Sequence, residues 1–171
     1  NGEMFYKISN NDEMRPFFMS IVSDSDHWMF ISSNGGLSAG RKNSEYSLFP
    51  YYTDDKIKES ADITGSKSIF KIVKNDQEYM WEPLAIRNLG NYNTSRNLFK
   101  NKYGNKVIFE EINHSLEIAF RYEWNSSDEF GFVRKAKLTN NSKERISVEI
   151  LDGIQNIIPA NVGSDLQVKS S

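Results

Sequence analysis

The sequence predicts an all-β protein, an antiparallel β-sandwich with little helix, and three observations indicate this. Short runs of β-branched and aromatic residues recur along the chain, separated by Asn, Gly, Ser and Asp. Aromatic residues make up 13% of the chain, a share that suits pleated sheets. Apolar residues at helical spacing are nearly absent. The 171 residues can bury a sizeable core, and residues 1–171 are predicted to form a single domain.

The apolar runs predict strands in chain order. The clearest is Leu116–Trp124, where Leu, Ile, Phe, Tyr and Trp occupy the even positions. Residues 88–95 have no such period and are predicted to form an exposed loop. The eight predicted strands are Phe17–Ser23, His27–Ser33, Ser68–Val73, Glu78–Ile86, Lys106–Ile112, Leu116–Trp124, Gly131–Thr139 and Arg145–Asp152.

Two turns are predicted to close hairpins. Gly104-Asn105 joins two β runs through residues that tolerate positive φ. Asn140–Glu144 separates two runs of alternating apolar residues, Val133–Leu138 and Ile146–Ile150. That alternation predicts a strand pair with one buried face and one solvated face.

The stretch Ser32–Arg41 reads Ser-Ser-Asn-Gly-Gly-Leu-Ser-Ala-Gly-Arg and is predicted to be a structured polar loop. Its segment Gly36–Gly40 matches the G-x-S-x-G pattern of a hydrolase nucleophile. That motif needs a helix after it and a downstream acid and His. The residues after Gly40 do not read as an amphipathic helix, and His114 is the only downstream His. The loop is therefore expected to present Arg41 rather than a nucleophile.

Composition excludes several function classes. The net charge of −2 gives no electrostatic case for binding nucleic acid or an anionic membrane. The chain has no Cys, and no apolar run approaches the roughly 20 residues of a membrane span. The two histidines lack metal-ligand spacing, and Asp24–Asp26 lacks the later ligands of a calcium loop. No metal or cofactor is expected. The first residues do not resemble a signal peptide, so a soluble protein is expected; the compartment stays open, with the cytoplasm favoured.

Polar and aromatic residues after the glycine loop are candidates for binding. Asp54 and Asp55 are adjacent carboxylates, which would point to opposite faces of a strand. Helix capping, a turn or a salt bridge is therefore favoured over paired acid–base catalysis. Trp81 precedes a Pro that interrupts sheet pairing, and it is either a sugar platform or, preferentially, a cap on the core. The candidate binding residues are Arg41, Tyr51, Tyr52, Asp54, Asp55, Lys56 and Trp81.

The order of these features resembles a known family. It runs from the Gly35-Gly36 loop through Trp81-x-Pro83 to the strand pair of Phe132–Ser142 and Ile146–Ile150. The order is similar to that of the N-terminal β-supersandwich, a galactose mutarotase-like sandwich, of the cellobiose phosphorylase family and related glycoside hydrolases. The resemblance covers most of the chain, from about residue 28 to residue 159.

The resemblance implies a non-catalytic domain of a glycoside hydrolase or phosphorylase. In that family an (α/α)6 barrel follows the sandwich and carries the catalytic groups. The sandwich packs on the barrel, shapes the substrate-site entrance and often takes part in dimerisation. The implied partners are thus a carbohydrate, a downstream (α/α)6 domain and, through dimerisation, a second copy. The resemblance implies no catalytic residue in this chain. The substrate sugar stays open.

Two alternatives remain open. The first is a free-standing carbohydrate-binding sandwich, with aromatic side chains stacking on sugars and charged ones binding hydroxyls. Its aromatic residues would be Trp81, Tyr51 or Tyr52, and its charged residues Arg41, Asp54 or Lys56. The second is a structural or interaction domain without a ligand, which a large exposed apolar patch would favour.

Overall fold

The computed structural model describes residues 2–169 and shows an all-β protein with two short helices. The helices are α1 (Asp54–Glu59) and α2 (Ser164–Lys169), and single 3-10 turns cover Asn11–Glu13, Ser44–Tyr46 and Ile86–Asn88. The strands are β1 (Phe5–Ser9), β2 (Phe18–Ile21), β3 (His27–Ser32), β4 (Leu37–Arg41), β5 (Gly65–Lys74), β6 (Gln77–Trp81), β7 (Thr94–Asn101), β8 (Lys106–Asn113), β9 (Ile118–Ser127), β10 (Gly131–Asn140) and β11 (Ser147–Gln155).

The strands form three antiparallel sheets that pack together. One sheet has the strand order β1-β7-β8-β9-β10, and the others have the orders β11-β5-β6 and β2-β3-β4. Their inward side chains form one buried cluster, in which Phe70 of β5 packs on Phe120 of β9 with ring centroids 5.2 Å apart. The predicted antiparallel sandwich is therefore confirmed.

The alternation of β9 explains much of this core. Its even-numbered side chains from Ile118 to Trp124 are all at most 4% exposed. Side chains of a strand alternate between faces, so these residues line the inner face of the large sheet. The predicted turn at Gly104-Asn105 is also confirmed, because β7 and β8 pair on either side of it.

The predicted polar loop at Ser32–Arg41 is wrong over most of its length. Only residues 33–36 form a turn, and β4 follows at once. Residues 37–40 are buried although they include Ser and Gly. One face of β4 contributes to the core, and the chain after Tyr46 crosses its other face, where Ser47 bridges to Gly40. Burial on both faces removes the polar–apolar alternation that marks an exposed strand.

The second predicted hairpin is also wrong. The chain does turn after Asn140, but β10 pairs with β9 and β11 pairs with β5. The turn therefore carries the chain from one sheet to another, and Ile150, predicted to be buried, is 58% exposed. Local alternation identified both strands but could not identify their partners.

Three further differences concern strand boundaries. β1 and β7 are absent from the eight predicted strands, and β7 begins at Thr94, inside the segment predicted to be an exposed loop. The strand predicted to run to Ile86 ends at Trp81, because Pro83 and the 3-10 turn after it interrupt pairing.

Candidate functional site

A groove of about 500 Å³ lies at the end of β4, and we call it the Arg41 groove. Strands β3 and β4, the 3-10 turn after them, the start of β10 and the stretch 158–162 form its walls. The residues that give it its chemical character are His27, Arg41, Tyr46, Phe130 and Phe132. Ligand sites are typically clefts of this size, with apolar walls and a few polar groups.

Arg41 is the main cation of the groove. It is the last residue of β4 and lies opposite His27 of β3. Its Nη2 donates to Asp26 Oδ1 at 3.2 Å, and the Arg41 side chain remains 61% exposed. An exposed ion pair of this kind contributes little stability. The guanidinium can therefore exchange its carboxylate partner for ligand hydroxyls.

Gly40 allows the groove to form. A Cβ at this position would lie 2.6 Å from the carbonyl oxygen of Tyr46 and 2.7 Å from Cζ2 of Trp28. Both contacts are too close for any side chain. Glycine therefore lets the Ser44–Tyr46 turn lie against β4, with the Trp28 ring beside it.

Two aromatic side chains form the exposed rim of the groove. Phe130 is 72% exposed and Tyr46 is 58% exposed. The Lys42 ammonium lies 5.5 Å from the centre of the Tyr46 ring. Exposed aromatic faces beside a guanidinium suit a ligand that has apolar C–H faces and many hydroxyls.

The side chain of Ser38 is not a nucleophile. It is fully buried, and its Oγ donates to the Pro50 carbonyl oxygen at 2.7 Å. The same Oγ accepts a hydrogen bond from the amide of Tyr52 at 3.4 Å. Ser38 therefore fixes the crossing segment to β4, as the sequence argument against a hydrolase motif expects.

The structure places Tyr51 beside Trp28, on the face of the β3–β4 pair opposite to the Arg41 side chain. Trp28 packs beside Gly40, next to Arg41, and its ring meets the ring of Tyr51 edge-on at 5.7 Å. Tyr51 is half-exposed, and its amide donates to Gln167 of α2. The structure therefore does not bring Arg41 and Tyr51 together, and Trp28 is a residue that sequence reasoning did not single out.

The other predicted residues lie apart from Arg41 in the fold. Tyr52 is partly buried, and its backbone amide donates a hydrogen bond to Ser38 Oγ. Asp54 and Asp55 occupy the first turn of α1, where carboxylates interact favourably with the helix dipole, and Asp54 pairs with Lys58. Lys56 is exposed on the same helix. The alternative of a helix terminus, rather than a carboxylate pair, agrees with this geometry.

Trp81 lies in the core. It is 2% exposed, and its Nε1 donates to Glu111 Oε1 at 2.8 Å. Glu111 Oε2 in turn accepts from Arg96 Nε at 2.7 Å. Trp81 cannot stack on a sugar in this position, so the interpretation as a core residue is the correct one.

A pair of carboxyl groups lies on the turns next to the groove. Asp128 forms a hydrogen bond with Asp24, which raises the pKa of Asp128, while nearby His27 acts in the opposite direction. Both carboxyl groups are exposed to solvent. They line a separate depression together with Val22 and Tyr103 rather than the Arg41 groove, and they lack the burial that sustains a catalytic acid.

Sequence reasoning missed the two rim aromatics. Phe130 follows Asp128-Glu129 and precedes Gly131 in a turn between strands, and an apolar ring in such a turn is a signal of exposure. Tyr46 carries no comparable signal. It reaches the groove only because the crossing segment returns to β4.

The comparisons with known proteins give no family. No family model matches the chain, and no curated protein matches it. Within residues 2–169, no group of three or more His, Asp or Glu side chains is placed to hold a metal ion. No helix in the described part of the chain is long and apolar enough to cross a membrane.

Proposed function

We propose that this chain is a non-catalytic β-sandwich domain of a carbohydrate-active enzyme, a glycoside hydrolase or phosphorylase, and that its Arg41 groove forms part of the substrate-site entrance. The observation that carries the proposal is the groove itself, which is lined by Arg41 and by the exposed rings of Tyr46 and Phe130. Guanidinium donors would bind sugar hydroxyls, and the rings would pack on sugar C–H faces.

The exposed apolar surface of strand β11 supports the idea that this domain packs against another domain. Strand β11 is at the edge of its sheet, and Ile150, Leu151 and Ile154 expose 58%, 65% and 41% of their surface. Ile150 pairs with buried Phe70 and so faces the inside of the sandwich, whereas Leu151 faces the outside. Apolar side chains on both faces of an edge strand are typical of a strand covered by further protein. A catalytic domain is the partner that we propose.

Carbohydrate titration of the 171-residue chain tests the groove. We expect cellobiose or longer oligosaccharides to change the fluorescence of Trp28, whose ring lies against Gly40 in the groove wall, while Trp81 and Trp124 stay buried. Arg41→Ala should weaken this response, because it removes the guanidinium donors. Arg145→Ala, at an exposed arginine on the turn before β11, should leave the response unchanged.

A turnover assay completes the test. The chain alone is expected to release no product from disaccharides, with or without phosphate. Substantial turnover would contradict a non-catalytic role, and an unchanged titration after Arg41→Ala would contradict the groove.

The alternative of a free-standing carbohydrate-binding sandwich uses the same groove but needs no partner domain at β11. Comparison of the chain with the complete protein made in its native cell separates the two functions. Equal affinity and equal exposure of β11 in both proteins would favour the free-standing module.

A further inference from the structure

The sandwich is open along one side, between the edge strands β10 and β11. The two strands belong to different sheets and do not pair with each other. Ala136 of β10 lies opposite buried Tyr122, and Ile150 of β11 lies opposite buried Phe70. Directly opposite residues share a face, so Ala136 and Ile150 face the interior of the sandwich. Both are nevertheless exposed, and interior-facing positions are thus left uncovered on this side.

The ion pair of Arg134 with Asp152 closes only one end of this opening. Its two charges compensate each other, so that end carries no net charge. The interior-facing residues of β10 that follow, toward the turn after Asn140, are Ala136 and Leu138. Both are apolar. A segment that covers the opening must therefore present apolar side chains to it, because polar groups would be buried there without partners.

The other face of β10 is basic. Lys135 and Lys137 lie on the outer face of the large sheet, and β10 contains no Asp or Glu. The Lys135 ammonium is 3.8 Å from Glu123, and the Lys135 side chain is 69% exposed. Lysines on an edge strand oppose pairing with strands that carry no compensating charge. A strand that does pair with β10 must therefore bring negative charge to this face.

Lys137 is the cation with the greatest need for such a charge. It lies opposite Arg121, and like charges directly opposite each other destabilise a strand pair. Arg121 already forms an ion pair with Glu110. In the part of the chain that the structure describes, no carboxylate lies within ion-pair distance of Lys137. A carboxylate on an added strand would offset the repulsion.

We propose that β10 accepts an extended acidic strand, with apolar side chains over the opening and carboxylates beside Lys135 and Lys137. The free edge of β10 supplies backbone N–H and C=O groups for pairing. Because side chains alternate between the faces of a strand, the added strand has an apolar–acidic pattern. Its source is the catalytic domain proposed to cover β11, and this source rests on the proposed function.

An NMR titration of the 171-residue chain with the peptide acetyl-Thr-Val-Glu-Val-Glu-Val-Thr-amide tests the strand. We expect shifts of the β10 backbone amides, and weaker binding at high salt, which screens exposed charges. The counterpart peptide with Lys in place of both Glu should bind about tenfold more weakly, because each pair of opposite charges becomes a pair of like charges.

Lys137→Glu should weaken binding of the acidic peptide about threefold or more and strengthen binding of the basic one. The variant is expected to fold, since it replaces a pair of like charges with a Glu opposite Arg121. Lys102→Glu, at an exposed lysine between β7 and β8, is the matched control with the same change in net charge. It should leave both titrations unchanged.

The contrary outcomes overturn the proposal. Equal binding of the two peptides, or equal effects of Lys137→Glu and Lys102→Glu, would exclude an acidic partner. Shifts confined to residues outside β10 would exclude pairing at this edge. The absence of binding would mean that the lysines only protect the edge.

Hydrogen exchange separates the strand from its source. The β10 amides should exchange more slowly in the complete protein made in its native cell than in the isolated chain. Equal exchange would overturn the catalytic domain as the source. Arg41→Ala should leave the peptide titration unchanged, so failure at β10 can be told from failure of the Arg41 groove.

Discussion

Gly36, immediately before β4, shows how a single residue allows two elements to pack closely. Its Cα faces α1, and a Cβ there would overlap the carbonyl oxygen of Ile57 and lie 2.9 Å from Ser60 Oγ. The sequence indicates the Gly-Gly pair as a turn, but not this close approach, since the contact joins residues far apart in the chain. The buried side of α1 depends on it, because Ile57 is 1% exposed.

Gly36→Ala is therefore expected to destabilise the protein by about 1–3 kcal/mol, as overpacking does in well-packed interiors. Gly153→Ala is the matched control, because a Cβ at Gly153 meets nothing within 4 Å. It should change the free energy of unfolding by less than about 0.5 kcal/mol. Urea denaturation of both variants measures the difference, and equal midpoints would contradict the contact at α1.

Strand β11 does not match its surroundings, because it lies at the edge of its sheet and yet exposes large apolar side chains. It carries apolar residues on both faces and contains no Lys or Pro, which usually protect an edge strand. Its alternation predicted a strand correctly. Its burial could not be predicted, because burial depends on which strand lies opposite and not on the local pattern.

Leu151→Lys is expected to reduce self-association of the isolated chain while leaving its stability within about 0.5 kcal/mol of wild type. Leu151 is 65% exposed, so a charge there disturbs no core contact but opposes pairing of the free edge. Tyr6→Lys, on the edge strand β1, is the control and should leave association unchanged. Sedimentation velocity at rising concentration distinguishes the variants. If the Leu151→Lys variant associates as strongly as the wild-type chain, self-association occurs through a surface other than β11.

For the whole molecule, the sequence predicts the fold class better than the connections or the site. Strand β9 was predictable because one of its faces is buried and the other is accessible to solvent. This difference leaves an alternation of apolar and polar residues in the sequence. Strand β4 was not, because both of its faces are covered and it contains Ser and Gly. The Arg41 groove was not predictable for a different reason: Arg41 follows a recognisable glycine segment, whereas Tyr46 and Phe130 reach the groove only through long-range folding.

The layers of the sandwich are tied at their open edge by Arg134 of β10 and Asp152 of β11. Arg134 donates through Nη2 to Oδ1 at 2.7 Å and through Nη1 to Oδ2 at 2.9 Å. Ser68 also donates to this carboxylate. The hydrogen bonds from Arg134 hold the pKa of Asp152 below its ordinary value of 3.8, although burial acts in the opposite direction. The charged form of Asp152 therefore stabilises the folded state.

The sign of the pH dependence follows from this lowered pKa. A carboxyl group with a lower pKa in the folded state contributes its full stability above its unfolded pKa. It loses that contribution as the pH falls through the folded pKa. Asp152→Asn should thus be less stable than wild type above about pH 5. The difference should shrink progressively as the pH falls below 3.8. Urea denaturation of both proteins at a series of pH values measures this difference in the free energy of unfolding.

The background variant Arg134→Gln provides the control, because it removes the cation that lowers the pKa of Asp152. In that background, Asp152→Asn should have a smaller effect at neutral pH, and the acid dependence of the difference should largely disappear. A difference that stays constant from pH 6 to pH 2 would contradict the ion pair, because the protonated carboxyl group would then stabilise the fold as much as the carboxylate does. A stability difference that grows as the pH falls would have the opposite pH dependence to the one expected. It would exclude the Arg134–Asp152 ion pair as a contact that stabilises the packing of the two sheets.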